Sequence, residues 1–547
     1  MRKIYFILLL SISIFTPCLS QSLLPAHASS FITGLNGRST EGPSWDDTDF
    51  IKLVHEMNPS WMRYPAGTQA NYWDWRTGTF IEGSGKKPKY GFTIEQCVKG
   101  LPLNTKLIYV VNMARPTPAT GISIDASADI LRSEETLRKK AQDILEALAH
   151  FESLGHRPEV VEFGNEFYFG NEHAAIYARD NALYIAHSKI LSEIIKTHYP
   201  EIGIILCMTK YGTNGRDEWN NAITEALSSD PVFASRISGV VQHHYLSENY
   251  GSQEVISNDD TSEAAILEAL TYVREQNELN KLYLPANLSL WLTEYGASKN
   301  NATGTWASGI RSVLMSMAWL ESSHTIETML YHHITADPDV IQKLPSPVCG
   351  PVGVAFGLMM NACKGKNRYE RITFSNPGLY GLRISDANES GLLVVNMSRR
   401  TVSPQNIDVL LPGIHVRNQD QYYSYTPYNT NTNLQNGIVV SPVQDSRSYT
   451  FYPYSVSWIR GEFKNTSTDL SKVTVHYSVD VNDQRLTVFN TKESSCRLLI
   501  YDLTGKLLYN RIINKYEESI DLSSWNRGIY LIRLYYDNEI CSDKFKY

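Results

Sequence analysis

Residues 160–170 read VVEFGNEFYFG, and they place two glutamates and an asparagine inside a run of strand-forming residues. Apolar side chains stand on both sides of the polar ones without the alternation of a half-exposed strand, which is typical of a strand buried on both faces. Ionisable groups in such a setting are paired or functional. The stretch therefore predicts a central strand that ends in two functional groups, Asn165 and Glu166. Glu162 lies deeper in the strand, and we expect it to form a buried ion pair or another hydrogen-bonded core group.

Seven further apolar runs resemble this one, and longer segments separate them. The eight predicted strands are FITGLNG (31–37), WMRYP (61–65), KLIYVVNMA (106–114), VVEFGNE (160–166), IGIILCMT (202–209), GVVQHHYL (239–246), LSLWLTEYG (288–296) and TMLYHH (328–333). Residues 134–151, 173–198 and 304–322 have the pattern of crossover helices. Eight such repeats predict a (β/α)8 barrel, also called a TIM barrel, over residues 28–364. A doubly wound open sheet is the alternative, but it gives no reason for eight repeats, and no G-x-G-x-x-G follows the first strand.

After Lys364 the chain changes to short β-rich runs separated by Asn, Pro, Ser and Gly. This texture predicts an antiparallel β-sandwich over residues 365–463. The polar stretch KNTSTDLSK, residues 464–472, is predicted to be a linker. A small all-β domain is expected over residues 473–547. The predicted fold class is therefore α/β, with two further β domains after the barrel.

The amino terminus has the pattern of a secretory signal. Arg2 and Lys3 precede an apolar run, and Cys18, Leu19 and Ser20 offer a cleavage site with small residues before Gln21. No later segment has the roughly 20 apolar residues of a membrane-spanning helix. The net charge of -7 gives no basic field that would favour nucleic acid as a partner. We expect residues 1–20 to be removed and the mature protein to be exported.

Two glutamates stand at the ends of predicted strands, Glu166 at the fourth and Glu294 at the seventh. The active site of a (β/α)8 barrel lies at the carboxyl ends of its strands, so the two side chains should face each other. Glycosidic cleavage needs such a pair, one carboxyl as nucleophile or base and one as acid. At about 5.5 Å and an effective dielectric near 20, their repulsion is about 3 kcal/mol. Together with burial, this repulsion can keep one carboxyl protonated while its partner stays ionised.

The motifs around these glutamates resemble those of a known group of enzymes. EFGNE and WLTEYG are similar to the acid/base and nucleophile motifs of glycoside hydrolase clan A, whose members are retaining (β/α)8-barrel enzymes. The resemblance implies that Glu166 is the acid/base and Glu294 the nucleophile. It also implies that Asn165 hydrogen-bonds the 2-hydroxyl group of the sugar.

Two other strands carry further parts of the resemblance. WMRYPAGTQANYWDW, residues 61–75, resembles the R-x-P-G-G stretch of the α-L-arabinofuranosidases, β-xylosidases and β-glucuronidases of that clan, and the heparanase-like enzymes are also similar. The match implies that Arg63 lies beside the nucleophile, although Ala66 replaces the usual glycine. His243-x-Tyr245 matches the H-x-Y motif, whose tyrosine hydroxyl holds the nucleophile. Each of these side chains has a structural alternative, as an ion-pair partner or a satisfied polar group of the barrel core.

Trp73 and Trp75 could stack on the C–H face of a sugar ring, or they could pack beneath their loop. The histidine pairs at 243–244 and 332–333 invite a metal hypothesis, but no H-E-x-x-H motif or third ligand at a fixed spacing supports it. We therefore predict neither a metal site nor a cofactor.

The last segment resembles a secretion signal of another kind. LLIYDLTGKLLYN (498–510), the later GIY and the basic last strand resemble the C-terminal sorting domain that the type IX secretion system of Bacteroidota recognises. The alternative is an ordinary accessory β domain. The resemblance implies that the secretion machinery is a partner and that the protein acts at the cell surface or beyond it.

Together these features predict a secreted retaining glycosidase that acts on extracellular polysaccharide or oligosaccharide. A surface glycan-binding protein on the same barrel is the alternative, but it would be expected to lack one of the two carboxylates. A uronic acid substrate would predict basic residues in the cleft beyond Arg63, and Lys86, Lys87 and Lys89 are candidates.

Overall fold

A closed barrel of eight parallel strands forms the centre of the protein, as a computed structural model shows. The strands are β1 (Thr33–Asn36), β2 (Trp61–Tyr64), β3 (Lys106–Val111), β4 (Val160–Phe163), β5 (Gly203–Cys207), β6 (Gly239–Leu246), β7 (Leu290–Ala297) and β8 (Ile326–Tyr331). Leu35 of β1 is paired both with Met62 of β2 and with Tyr331 of β8, and this pairing closes the ring. The predicted (β/α)8 barrel and its eight strands are confirmed.

The structure describes most, but not all, of the chain. The described residues are 21–23, 32–37, 42–85, 90–170, 172–213, 215–246, 259–297, 304–334, 340–342, 346–406, 410–411, 414–425, 439–440, 448–463, 475–490, 495–503, 506–536 and 539–547. The predicted signal peptide, residues 1–20, and the lysines at 86, 87 and 89 lie outside them.

A plug of large apolar side chains, with one residue from each of seven strands, fills one end of the barrel interior. Its members are Trp61, Ile108, Val160, Ile205, Val241, Trp291 and Leu330. The remaining strand, β1, contributes Gly34, where a Cβ atom would lie 2.2 Å from the Trp61 carbonyl oxygen and 2.8 Å from Leu330. The interior is therefore a packed core, and only the carboxyl ends of the strands can form a cleft.

Helices surround the barrel. They are Thr48–Met57, Ile94–Gly100, Ala128–Arg132, Glu134–Ser153, Asn181–His198, Asp217–Ser229, Pro231–Arg236, Asp259–Tyr283, Trp306–Trp319 and Pro351–Cys363. None of the helices within the described ranges is long and apolar enough to cross a membrane.

One predicted helix is shorter than its pattern indicated. Of residues 173–198, only Asn181–His198 form an α-helix, and Glu172–Tyr177 before it form 3-10 turns. Ala175 and Arg179 have positive φ angles, 44° and 57°, which end any regular helix there. The side chain of Asp180 then accepts a hydrogen bond from the Leu183 amide and caps the new helix.

The β-sandwich packs against the barrel helices and shares their core. Its larger sheet has seven strands, in the order Gln21–Leu23, Arg368–Ile372, Leu379–Ser385, Glu389–Asn396, Ser455–Phe463, Ile414–Tyr423 and Val439–Val440. A second sheet pairs Val402–Asn406 with Ser448–Phe451. Tyr380, Leu393 and Trp458 belong to the same buried cluster as the barrel helices. The sequence did not indicate that Gln21–Leu23 would pair with Arg368–Ile372.

The chain divides into two compact units, Met1–Phe463 and Lys464–Tyr547. The second unit contains a three-stranded sheet and a four-stranded sheet around a core of its own. Its strands are His476–Asp480, Arg485–Phe489, Cys496–Asp502, Leu507–Ile513, Glu517–Asp521, Ile529–Tyr536 and Glu539–Lys546. The limits given above for the individual domains stay predictions.

Candidate active site

Two carboxyl groups meet at the carboxyl end of the barrel. Glu294 lies on β7, and Glu166 follows β4 with a left-handed backbone, at φ 54°. One carboxylate oxygen of each and one ring nitrogen of His243 all lie within 4.8 Å of one another. This spacing is close to that of the carboxyl pair in retaining glycosidases, roughly 5–5.5 Å, and is shorter than that in inverting enzymes.

Arg63 connects the two sides of the site through one guanidinium group. The side chain, on β2, is fully buried. Its Nε and Nη2 donate to the two oxygens of Glu162 at 2.8 and 2.6 Å, and its Nη1 donates to Glu294 Oε1 at 2.5 Å. Burial opposes the charge, but Glu162 and Glu294 raise the pKa of Arg63 above its usual value, so the group stays a cation. Glu162 is thus the partner of a buried ion pair, as its depth in the strand predicted.

The surroundings of Glu294 keep it ionised. Its Oε2 accepts a hydrogen bond from the Tyr245 hydroxyl at 2.7 Å, and ring nitrogens of His243 and His332 lie 3.5 and 3.8 Å away. Burial would raise the pKa of this carboxyl, but the charges of His243, His332 and Arg63, with the Tyr245 hydrogen bond, hold it well below its usual value. An anion that is desolvated and held in one orientation is suited to act as a nucleophile.

Glu166 is more accessible than its partner. Its side chain is 19% exposed, compared with 5% for Glu294. Glu166 Oε1 lies 3.0 Å from His243 Nδ1 and accepts a hydrogen bond from the Tyr168 hydroxyl at 3.0 Å. Burial opposes the charge of His243, but Glu294 and Glu166 raise its pKa above the usual value. Access to water and a polar neighbour on each side suit a group that must exchange a proton.

Two asparagines shape the site between the carboxyl groups. Asn71 accepts from the Asn165 amide at 3.2 Å and donates to the Asn165 carbonyl at 2.8 Å, which fixes the backbone immediately before Glu166. Asn165 Oδ1 accepts from Arg63 at 2.8 Å. The Asn165 side-chain nitrogen is buried and donates to no group in the described part of the chain, so it can donate to a bound molecule.

The loop after β2 approaches Glu294 closely. A Cβ atom at Gly67, where φ is 47°, would lie 3.2 Å from Glu294 Oε1. Ala66, which replaces the glycine of the related motif, is fully buried with a φ angle of 89°. The chain therefore keeps the left-handed backbone that glycine favours while carrying a side chain there.

The structure does not bring the two tryptophans to the carboxyl groups. Trp73 is 2% exposed, and its indole donates to the Tyr64 hydroxyl at 3.2 Å. Trp75 donates to Asp143 at 3.1 Å and packs beside His150, both on the helix Glu134–Ser153. These contacts favour packing, the alternative to sugar stacking. The reason is that their loop folds back onto the outside of the barrel.

Sequence reasoning gave no role to three residues that contact this site, Asn71, Tyr168 and His332. Tyr168 and His332 each follow the end of a barrel strand, so the rule that identified Glu166 could have found them. No comparable signal marks Asn71, because only the folded loop brings it to Asn165.

Glu166, His243 and Glu294 are close enough together to hold a metal ion. However, both Glu294 oxygens already accept hydrogen bonds, one from Arg63 and one from Tyr245. The raised pKa of His243 favours an imidazolium, which has no lone pair for a metal. This arrangement suits proton transfer and nucleophilic attack better than the binding of a metal ion.

Comparisons with known proteins agree with this fold. Residues 474–546 match a family model described as a secretion system C-terminal sorting domain. This confirms the predicted sorting domain, and with it export to the cell surface or the extracellular space. No curated protein sequence matches the chain.

Several solved structures are similar to about 80% of the chain. The family 51 α-L-arabinofuranosidase AbfB from Bifidobacterium longum is 12% identical, with a TM-score of 0.59, over 81% of this chain and 99% of that one. The α-L-arabinofuranosidase from Thermotoga maritima, in complex with arabinose, is 15% identical, with a TM-score of 0.55, over 81% and 100%. A 4-O-α-L-rhamnosyl-β-D-glucuronidase from Fusarium oxysporum 12S is 11% identical, with a TM-score of 0.51, over 80% and 99%. At these identities the similarity establishes the fold, and the function must be argued from the site.

Proposed function

We propose that the protein is a secreted retaining glycoside hydrolase that cleaves O-glycosidic bonds of extracellular polysaccharides or oligosaccharides. The observation that carries the proposal is the pair Glu166 and Glu294. One carboxylate oxygen of each lies within 4.8 Å of the other, and Arg63 and Tyr245 hold Glu294 as an anion. The two carboxyl groups differ in exposure and in partners, as the two roles of the reaction require.

In the first step, a Glu294 oxygen attacks the anomeric carbon while Glu166 gives its proton to the glycosidic oxygen, and the leaving sugar departs as an alcohol. In the second step, Glu166 takes a proton from water, which attacks the glycosyl-enzyme ester and releases the sugar with retained configuration. Arg63, Tyr245 and Asn165 hold the nucleophile and a sugar hydroxyl in place. The folds of the arabinofuranosidases and the glucuronidase above support this class of reaction.

Two substitutions test the assignment of roles. Glu294→Ala should lower the turnover of an aryl glycoside at least about a thousandfold, because it removes the group that bonds to the sugar. Added azide should restore part of that turnover and give a glycosyl azide of inverted configuration. Glu166→Ala should retain turnover of a dinitrophenyl glycoside, whose leaving group needs no proton, and lose turnover of an alkyl glycoside.

The matched control is Glu146→Ala, on an outer helix where the side chain pairs with Arg76. It should hydrolyse both glycosides at the unsubstituted rate. Normal hydrolysis by Glu294→Ala would reject the proposal, and so would equal losses on both leaving groups in Glu166→Ala.

We further propose the route of export. Residues 1–20 act as the signal peptide, and the type IX machinery, as found in Bacteroidota, recognises the C-terminal domain. Sequencing the amino terminus of the secreted protein tests the first point, and Gln21 is the expected first residue. Deletion of residues 474–546 should retain the protein inside the outer membrane.

A further inference from the structure

Three basic side chains lie on the loops that follow β4, the strand that precedes Glu166, and β5. Arg179 lies against the end of the loop after β4, because a Cβ atom at Gly170 would be 2.6 Å from its Nε. Lys210 and Arg216 lie on the loop after β5. We call Arg179, Lys210 and Arg216 the basic cluster.

A continuous set of contacts links Arg216 to Glu166. The Tyr168 hydroxyl donates to Glu166 at 3.0 Å, and the Tyr168 ring lies 4.9 Å from the Phe169 ring, centroid to centroid. The Arg216 guanidinium lies over both rings, 4.0 Å from the Phe169 centroid and 5.6 Å from that of Tyr168. A cation over an aromatic ring is attracted to it, so these two rings fix the position of the Arg216 guanidinium. Tyr168 separates that guanidinium from Glu166.

The charges of the basic cluster are not neutralised locally. Across the described ranges, no carboxylate forms an ion pair with Arg179, Lys210 or Arg216. On the same barrel, Arg76 pairs with Asp143 and Glu146, and Arg132 pairs with Asp180. Asp217, the next residue after Arg216, accepts a hydrogen bond from the Gly212 amide instead.

Lys210 lies on the inner side of the basic cluster. It is half-buried, and its Nζ donates to the Tyr272 hydroxyl at 3.3 Å. Burial, and then the charge of Arg216, lower the pKa of Lys210. The basic cluster is thus a region of unbalanced positive charge, which an incoming anion would relieve.

We propose that the basic cluster binds an anionic group of the substrate on the leaving-group side of the bond that is cleaved. This inference depends on the proposed function, because Glu166 defines the leaving-group side only if it protonates the glycosidic oxygen. The anion is the carboxylate of a uronic acid or a sulfate ester, since the guanidinium of an arginine can hold two oxygens of either. The substrate class is therefore an acidic polysaccharide.

Binding to the full chain tests this inference without any turnover. In a Glu294→Ala background, titration calorimetry would compare a glucuronic acid oligosaccharide, a sulfated galactan oligosaccharide and a neutral xylan oligosaccharide. We expect at least one acidic oligosaccharide to bind more tightly than the neutral one, with an affinity that falls as salt rises. Arg216→Gln should weaken that binding roughly tenfold and leave the neutral ligand unaffected.

Arg138→Gln is the matched control, because it removes one positive charge from an exposed ion pair on an outer helix. It should change neither affinity. Arg179→Gln provides a second variant should Arg216→Gln fold poorly, which thermal unfolding would detect. The ligand that responds, uronate or sulfate, identifies the anion.

Equal affinity for the acidic and neutral oligosaccharides, or acidic binding that neither variant changes, would overturn the inference. Hydrolysis of neutral aryl glycosides reports on the proposed function separately. A protein that hydrolyses them but shows no preference for an anion retains the proposed function and loses the basic cluster as a binding site.

Discussion

At the scale of single residues, neighbouring charges rather than burial set the ionisation of Glu294. Arg63, Tyr245 and two histidines outweigh a desolvation that alone would raise its pKa. A carboxyl whose folded-state pKa is depressed stabilises the fold above its unfolded pKa, here 4.5. That contribution is lost as the pH falls through the folded-state pKa, so the site should tolerate mild acid.

Tyr245→Phe tests this account of the nucleophile. Removing the hydroxyl, which donates to Glu294 at 2.7 Å, raises the pKa of Glu294 toward its usual value. We therefore expect the acid limb of kcat/KM to move to higher pH. The free energy of unfolding at neutral pH should fall by about 1–2 kcal/mol, the contribution of a hydrogen bond to a charged group. An unchanged acid limb would show that the hydroxyl has no effect on this ionisation.

Ala66 has a backbone conformation that favours glycine, at φ 89°. Ala66→Gly should raise the free energy of unfolding by about 1 kcal/mol, because the cost of this conformation exceeds the extra entropy of glycine in the unfolded chain. Urea unfolding measures the change. At an ordinary helical φ angle, replacement of alanine by glycine is destabilising. The control Ala307→Gly, within the helix Trp306–Trp319, should therefore lower the free energy of unfolding by a similar amount. A loss of stability in Ala66→Gly would contradict the strain argument.

At the scale of elements, the sequence predicts strands better than the segments between them. Most barrel strands are apolar runs bounded by polar residues, and burial on both faces requires such runs. Residues 173–198 have a helical pattern throughout, yet their first part turns, because Ala175 and Arg179 take positive φ angles. A hydrophobic pattern does not reveal a positive φ angle at a residue other than glycine.

The barrel also places a strict demand on β1. A Cβ atom at Gly34 would lie 2.2 Å from a backbone oxygen of β2, which cannot move without breaking the ladder. We expect Gly34→Ala to lose most of the folded protein, with the melting temperature and the soluble yield as measurements. Gly357→Ala is the control, because no atom lies within 4 Å of its added Cβ in the helix Pro351–Cys363, and it should be stabilising by up to about 1 kcal/mol. Normal folding of Gly34→Ala would contradict the packing of the plug.

At the scale of the whole molecule, the barrel and the β-sandwich fold as one unit. The indole of Trp306 donates to the Tyr454 carbonyl at 2.6 Å, and the Tyr380 hydroxyl donates to Glu321, so polar contacts accompany the shared core. The last unit has a separate core. We therefore expect the barrel to need the β-sandwich for stable folding but not to need the last unit.

Two truncations test this difference. A chain that ends at Phe463 should keep the melting temperature and the glycosidase activity of the full chain, since it retains the whole first unit. A chain that ends at Lys364 exposes the apolar helix surface that the sandwich covers, and it should aggregate or unfold. A stable monomer that ends at Lys364 would show that the sandwich is dispensable for folding.

The sequence by itself determined the barrel, the order of its strands and the two strand-end glutamates. The reason is that a buried strand requires an apolar run, and a polar residue at the end of such a run is visible in the sequence. It also determined the sorting domain through its motif. The tertiary structure decided which groups surround each glutamate, that Trp73 and Trp75 pack away from the site, and that Arg216 lies over Tyr168 and Phe169. These relations join residues remote in the chain, and their energies depend on distances that no local pattern encodes.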